Sequence, residues 1–129
     1  MRLTTRRREV LELILVAEGP VTAYQLLEQL QATRKGAVPP MVYRALEFLL
    51  ENELIHKVES LSAFVACKMA DHHHDAAQFL ICRQCGAVKE VEDEAVNRAL
   101  DDVAHKMGFH PGKSLVELRG ICSDCSTEH

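Results

Sequence analysis

Four of the five cysteines fall into two matched pairs, Cys82-Arg83-Gln84-Cys85 and Cys122-Ser123-Asp124-Cys125, and no other feature constrains the fold as strongly. Each C-x-x-C turn presents two sulfurs to one side of a common point, so the two turns together offer the four thiolates of a tetrahedral structural zinc site. Cys82, Cys85, Cys122 and Cys125 are therefore expected to hold one zinc ion. The pairs are far apart in the chain, so one ion joins two distant stretches. Zinc binding of this kind contributes about 10–16 kcal/mol in isolated peptides, and the second half of the protein is expected to need metal to fold.

Paired cysteines also serve dithiol redox chemistry or form disulfides. Neither pair stands in the strand-to-helix setting of a thioredoxin-like site, and Met1-Arg2-Leu3-Thr4-Thr5-Arg6-Arg7-Arg8 has no apolar run of the kind a secretory signal needs. A reducing cytoplasm is the expected setting, and no enzyme is expected. With 129 residues, 47% of them hydrophobic, the chain can bury a core or divide into two small modules. None of its apolar runs approaches the length of a membrane-spanning helix.

The formal net charge of −4 speaks against nucleic-acid binding until it is divided along the chain. Residues 1–50 hold seven Lys/Arg and five Asp/Glu, giving +2, while residues 51–129 hold eight and fourteen, giving −6. The split fits a mildly basic DNA-facing module joined to an acidic partner module.

Thr4 is placed to cap a helix running to about Ala17, with Val10, Leu11, Ile14 and Leu15 at helical spacing before Gly19-Pro20. Thr22 and Gln25 form a capping-box pattern for a second helix ending near Gln31, followed by a basic loop over residues 33–36. Pro39-Pro40 sets the first turn of a third helix. Residues 54–59 and 63–67 then read as two short strands. Three helices followed by a hairpin make a winged helix-turn-helix, assigned to residues 1–69, with a polar hinge at 70–77 around His72-His73-His74-Asp75.

Residues 78–129 form the second module: a strand from Gln78, a return strand ending at Val91, a helix over 92–107 and a strand at 115–118. Ala95, Val96, Ala99, Leu100, Val103 and Met107 are expected to face inward, and so small a module gains most by pairing with a copy of itself. The fold class is α+β.

The third helix begins Pro40-Met41-Val42-Tyr43-Arg44, which sets an aromatic hydroxyl and a guanidinium in the part that enters the major groove in helix-turn-helix docking. Arg44 can donate two hydrogen bonds to guanine, and Tyr24 on the second helix can reach a thymine methyl or a phosphate. Arg6, Arg7, Arg8, Arg34 and Lys35 are phosphate candidates. The plain alternatives are Arg44 paired with Glu47 or Glu51 and tyrosines half-buried in the core.

A second metal site is suggested by His56 on the first wing strand, Cys67 on the second, the histidine run with Asp75, and Glu90. Two nitrogens, a thiolate and a carboxylate suit tetrahedral zinc, the thiolate favouring it over iron(II) or manganese. Taken singly, Cys67 reads as a small buried hydrophobe and His56 as an ordinary strand residue.

Arg2-Leu3-Thr4-x-x-Arg7, Pro40-x-Val42-Tyr43-Arg44-x-Leu46, His56-Lys57-Val58 and Phe79-Leu80-Ile81-Cys82-x-x-Cys85-Gly86 together resemble the motifs of the ferric-uptake-regulator family, in particular its zinc-uptake regulators. The resemblance implies a bacterial dimeric repressor with a winged-helix domain and an α/β dimerisation domain, made competent for operator DNA by metal. It places structural zinc on Cys82, Cys85, Cys122 and Cys125, and regulatory zinc on His56, Cys67, a hinge histidine and Glu90. It also places base reading on Tyr24 and Arg44. In an ungapped match the hinge ligand falls on Asp75, one residue after His74; His74 is taken as the ligand.

The expected protein is a homodimeric zinc-sensing repressor of zinc-uptake genes that binds about two zinc ions per chain and an AT-rich inverted repeat. The alternatives are an iron or peroxide sensor of the same family, a thiol-disulfide oxidoreductase, and a zinc-ribbon adaptor without DNA binding.

Overall fold

Local signals set the helices of the N-terminal part. Thr4 Oγ1 accepts from Arg7 N at 3.3 Å and opens α1, Thr5–Val16. Thr22 and Gln25 cap each other, Oγ1 accepting from Gln25 N at 3.1 Å and Oε1 from Thr22 N at 2.9 Å, at the start of α2, Ala23–Thr33. The helix passes its expected end at Gln31 by two residues, and Thr33 Oγ1 donates back to Leu30 O. Pro39 and Pro40 open α3, Pro39–Glu51. The computed structural model describes residues 2–67 and 76–126, and its internal contacts divide the chain into two units, Met1–Lys68 and Met69–His129.

In the first unit the three helices bury Val10, Ile14, Leu26, Leu30, Val42, Leu46 and Leu49 together with Ile55 and Phe64. A three-stranded antiparallel sheet closes this core, in the order β1 (Val21–Thr22), β3 (Ala63–Ala66), β2 (Ile55–Val58). A 3-10 turn, Glu59–Leu61, and Ser62 at φ 49° join β2 to β3. The expected hairpin is there. The two-residue β1, which adds a third strand through Val21↔Phe64, was not expected, since two residues show no period.

The second unit is a three-stranded sheet ordered β5 (Val88–Val91), β4 (Ala76–Cys82), β6 (Ser114–Gly120), with α4 (Glu94–Lys106) between β5 and β6. Ala76 and Ala77, placed in the hinge by the sequence reading, begin β4. β5 runs antiparallel to β4 and β6 parallel, the crossover through α4 being what a parallel pair requires. Asp93 caps α4, its carboxylate accepting from Ala95 N at 2.9 Å, and Gly108 at φ 66° turns the chain away at the far end.

One expectation fails. The stripe Val96, Leu100, Val103, Met107 does not face inward in the single chain: its members are 36%, 40%, 60% and 78% exposed, and Ala95 and Ala99 are exposed too. The half-buried positions of α4 are Asn97 and Ala104.

Removing half of the α2 capping box by Thr22→Ala is expected to cost about 1 kcal/mol. The check is the urea midpoint of the zinc-loaded chain followed by a probe in the first unit; an unchanged midpoint contradicts it.

Candidate metal centre

The register of β4 on β6 sets Cys82 opposite Gly120 and so brings both C-x-x-C turns to the same end of the sheet. Arg83 N donates to Gly120 O at 2.8 Å and ties the turns to each other. In the first turn Gly86 N donates to Cys82 O and Cys82 N to Ala87 O; Gly86, at φ 77°, takes the left-handed conformation that a side chain would resist. In the second, Cys125 N and Ser126 N both donate to Cys122 O.

The four sulfurs of Cys82, Cys85, Cys122 and Cys125 all lie within 4.8 Å of one another, and Cys85 Sγ is 3.8 Å from Cys122 Sγ. Tetrahedral zinc with Zn–S bonds of about 2.3 Å requires sulfur–sulfur edges of about 3.8 Å. The cage therefore fits zinc in size and in donor type, four soft sulfurs with no oxygen. Its electrostatics call for a cation. Backbone N–H groups of Cys85 and Cys122, 3.5 and 3.4 Å from Cys82 Sγ, pull that thiol down to about 6. Hydrogen bonding to Cys122 and burial push Cys125 up to about 12. One sulfur is readily ionised and another resists ionisation beside its neighbours, so a dication is what allows all four to become thiolates.

His56 and Cys67 come from the hairpin of the first unit. His56 pairs with Val65 and Cys67 N donates to Leu54 O at 3.0 Å, so both side chains leave the face opposite the buried Ile55 and Ala66. A His56 ring nitrogen and Cys67 Sγ lie within 4.8 Å of each other. Glu90 sits on β5 opposite Phe79. His74 lies outside the described residues, as do His72, His73 and Asp75.

On α3 the solvent-facing residues are Pro39, Pro40, Tyr43, Arg44, Glu47 and Glu51. Tyr43 and Tyr24 are 57% and 69% exposed, so neither is a core aromatic. Among the described residues Arg44 forms no ion pair, and the pairing with Glu47 or Glu51 is not made. Arg6 lies against Met41 in the first turns of α3, and Lys35 is exposed. Arg34 is different: it forms a 2.9 Å ion pair with Glu9 and so already spends part of its charge inside the unit. Arg7 stacks on the Phe48 ring, 3.7 Å from its centroid. The sequence reading missed that tie and also missed Gln78, a buried polar residue in a strand whose partners lie on α4 and its cap.

Residues 1–119 match the Ferric uptake regulator family. The chain is 42% identical over 125 residues to the zinc uptake regulation protein of Escherichia coli K12, covering 97% of this chain and 73% of the relative. It is 30% identical to the ferric uptake regulation protein of Campylobacter jejuni, over 96% of this chain and 80% of the relative. Among solved structures, a zinc uptake regulator complexed with zinc and DNA superposes with a TM-score of 0.91 at 42% identity, over 97% of this chain and 83% of that one.

Zinc uptake by the metal-free chain is expected to release about three to four protons near pH 7, since thiols with an ordinary pKa of about 8.5 must become thiolates. Affinity then falls as pH falls. Titration calorimetry in buffers of different ionisation heat reads the count; one proton or fewer per zinc contradicts the four-thiolate assignment.

Proposed function

The chain belongs to the ferric uptake regulator family, and from that premise we propose that it is a zinc-responsive repressor that binds operator DNA of zinc-uptake genes as a homodimer. The family is one of transcription regulators, so the chain is not an enzyme and the oxidoreductase reading of its C-x-x-C pairs falls away. The observation that carries the proposal is the all-sulfur cage, joined in one chain to a helix that presents Tyr43 and Arg44 to solvent.

In this reading residues 1–69 bind DNA, residues 70–75 are the hinge and residues 76–129, which begin with β4, form the dimer module. Cys82, Cys85, Cys122 and Cys125 hold a structural zinc, and His56, Cys67, His74 and Glu90 hold a regulatory one, about two per chain. Zinc at either set supplies charge neutralisation and fixed coordination angles. His56 and Cys67 belong to the DNA-binding unit and Glu90 to the other, so a ligand set drawn from both restrains the hinge only when all are engaged. The two recognition helices of the dimer must match half-sites about one helical turn, roughly 34 Å, apart, and an unrestrained hinge leaves only a fraction of dimers competent.

On α3, Arg44 reads a guanine and Tyr43 packs beside it, while Glu47 and Glu51 keep the C-terminal half of the helix away from phosphate. Tyr24, Arg6 and Lys35 complete the DNA face; Arg34 orients the α1–α2 corner through Glu9 as much as it contributes charge. An AT-rich inverted repeat is the expected operator, and a chromosomal partner makes the cytoplasm the site of action. Among the described residues no helix is long and apolar enough to cross a membrane.

The iron-responsive alternative has a relative at 30% identity, against 42% for the zinc regulator, and the soft Cys67 sulfur favours zinc. The test is operator affinity at fixed salt as free zinc is raised in a metal buffer, with iron(II) as competitor. Affinity is expected to rise as bound zinc goes from about one to about two per chain, and Arg44→Ala to lower it by about 1–3 kcal/mol. Affinity that ignores the second zinc, or that follows iron(II) instead, overturns the proposal.

A further inference from the structure

α4 is an amphipathic helix turned so that its apolar stripe misses its own sheet. At 100° per residue the stripe Val96, Leu100, Val103, Met107 lies about a quarter turn from the half-buried Asn97 and Ala104. Rotating the helix by that amount would cover the stripe within the chain. The side chain that stands against such a rotation is Gln78.

Gln78 is only 3% exposed, the one polar side chain among the buried described residues, and it lies on the central strand β4. Its Nε2 donates to Asn97 Oδ1 at 2.8 Å and to Asp93 O at 3.2 Å, while its Oε1 accepts from Asp93 N at 3.3 Å. Asp93 in turn caps the helix through Ala95 N and Val96 N. One amide thus fixes both the start of α4 and its rotation. Turning the helix would strand the Gln78 amide unpaired in an apolar strand, which a buried donor and acceptor resist. A buried polar pair that fixes register, at some expense in stability, is a known use of such groups.

Resting on the homodimer reading above, we propose that the Gln78–Asn97 bond is a register lock that holds the apolar stripe of α4 outward for a second copy of this chain. The homodimer reading makes a second copy the occupant: four large exposed apolar side chains along one helix form a surface that a twofold contact buries from both sides at once. Gln78 and Asn97 are positioning residues: neither is a sulfur ligand nor a member of the stripe.

The experiment is sedimentation equilibrium of the zinc-loaded full chain, with zinc counted after mild chelation and folding checked by circular dichroism. The parent is expected to dimerise. Q78L/N97L replaces both partners with apolar groups and leaves nothing to fix the rotation; its dimer dissociation constant is expected to rise about tenfold or more, with zinc in the cage retained. The exchanged pair Q78N/N97Q, which keeps the reach of the bond, is expected to restore association. Asn97→Ala, which leaves Gln78 bonded to Asp93, gives a second route should the double variant not fold, and it too should weaken the dimer. Variants that associate as tightly as a dimeric parent overturn the lock and leave the homodimer reading intact. A monomeric parent overturns both.

Discussion

The parallel pairing of β4 with β6 is the constraint on which the second unit depends. It sets Cys82 across from Gly120 and thereby delivers two C-x-x-C turns to one place, the Cys85 and Cys122 sulfurs coming to 3.8 Å. Parallel strands need a crossover, and here the crossover is α4, a helix that buries none of its own side chains. So small a sheet has little apolar surface to hold it closed, and while Cys82 ionises readily, Cys125 is pushed up to about 12 by its neighbours. Zinc chemistry answers both problems, since one cation makes four thiolates compatible and joins the end of β4 to the chain just past β6.

The first unit rests on different physics. Its core of Val10, Ile14, Leu26, Leu30, Val42, Leu46 and Leu49 is covered by a three-stranded sheet and rests on apolar burial. What the packing leaves outside is then informative. Val42, Ala45, Leu46 and Leu49 point inward on α3, which fixes Tyr43 and Arg44 on the opposite face. The hairpin works in the same way: Ile55 and Ala66 go to the core, and the pleat turns His56 and Cys67 to the other side. Core packing thus positions both the candidate DNA-facing residues and two of the candidate metal ligands.

Much of this was legible in the chain because its causes are local. A capping box spans four residues and a C-x-x-C turn likewise, and both formed as read. The hairpin followed from two apolar runs around a short polar turn. What escaped the sequence depends on distance or on rotation. Periodicity revealed a stripe on α4 but could not say what the stripe faces, and the answer lies with Gln78, whose partners are 15 and 19 residues away. The ion pair of Arg34 with Glu9, 25 residues earlier, has no sign in the sequence either. The two-residue β1 carries no pattern at all.

We propose two kinds of zinc site in one chain, an all-sulfur staple and a mixed site that senses. X-ray absorption at the zinc edge, recorded on protein carrying one and then two zinc ions per chain, tests this most directly. The first zinc should show four sulfurs near about 2.3 Å and no lighter neighbours. The second should add a shell of nitrogen and oxygen at about 2.0–2.2 Å with a single sulfur. Nitrogen or oxygen around the first zinc, or a second zinc bound wholly by sulfur, would contradict the assignment.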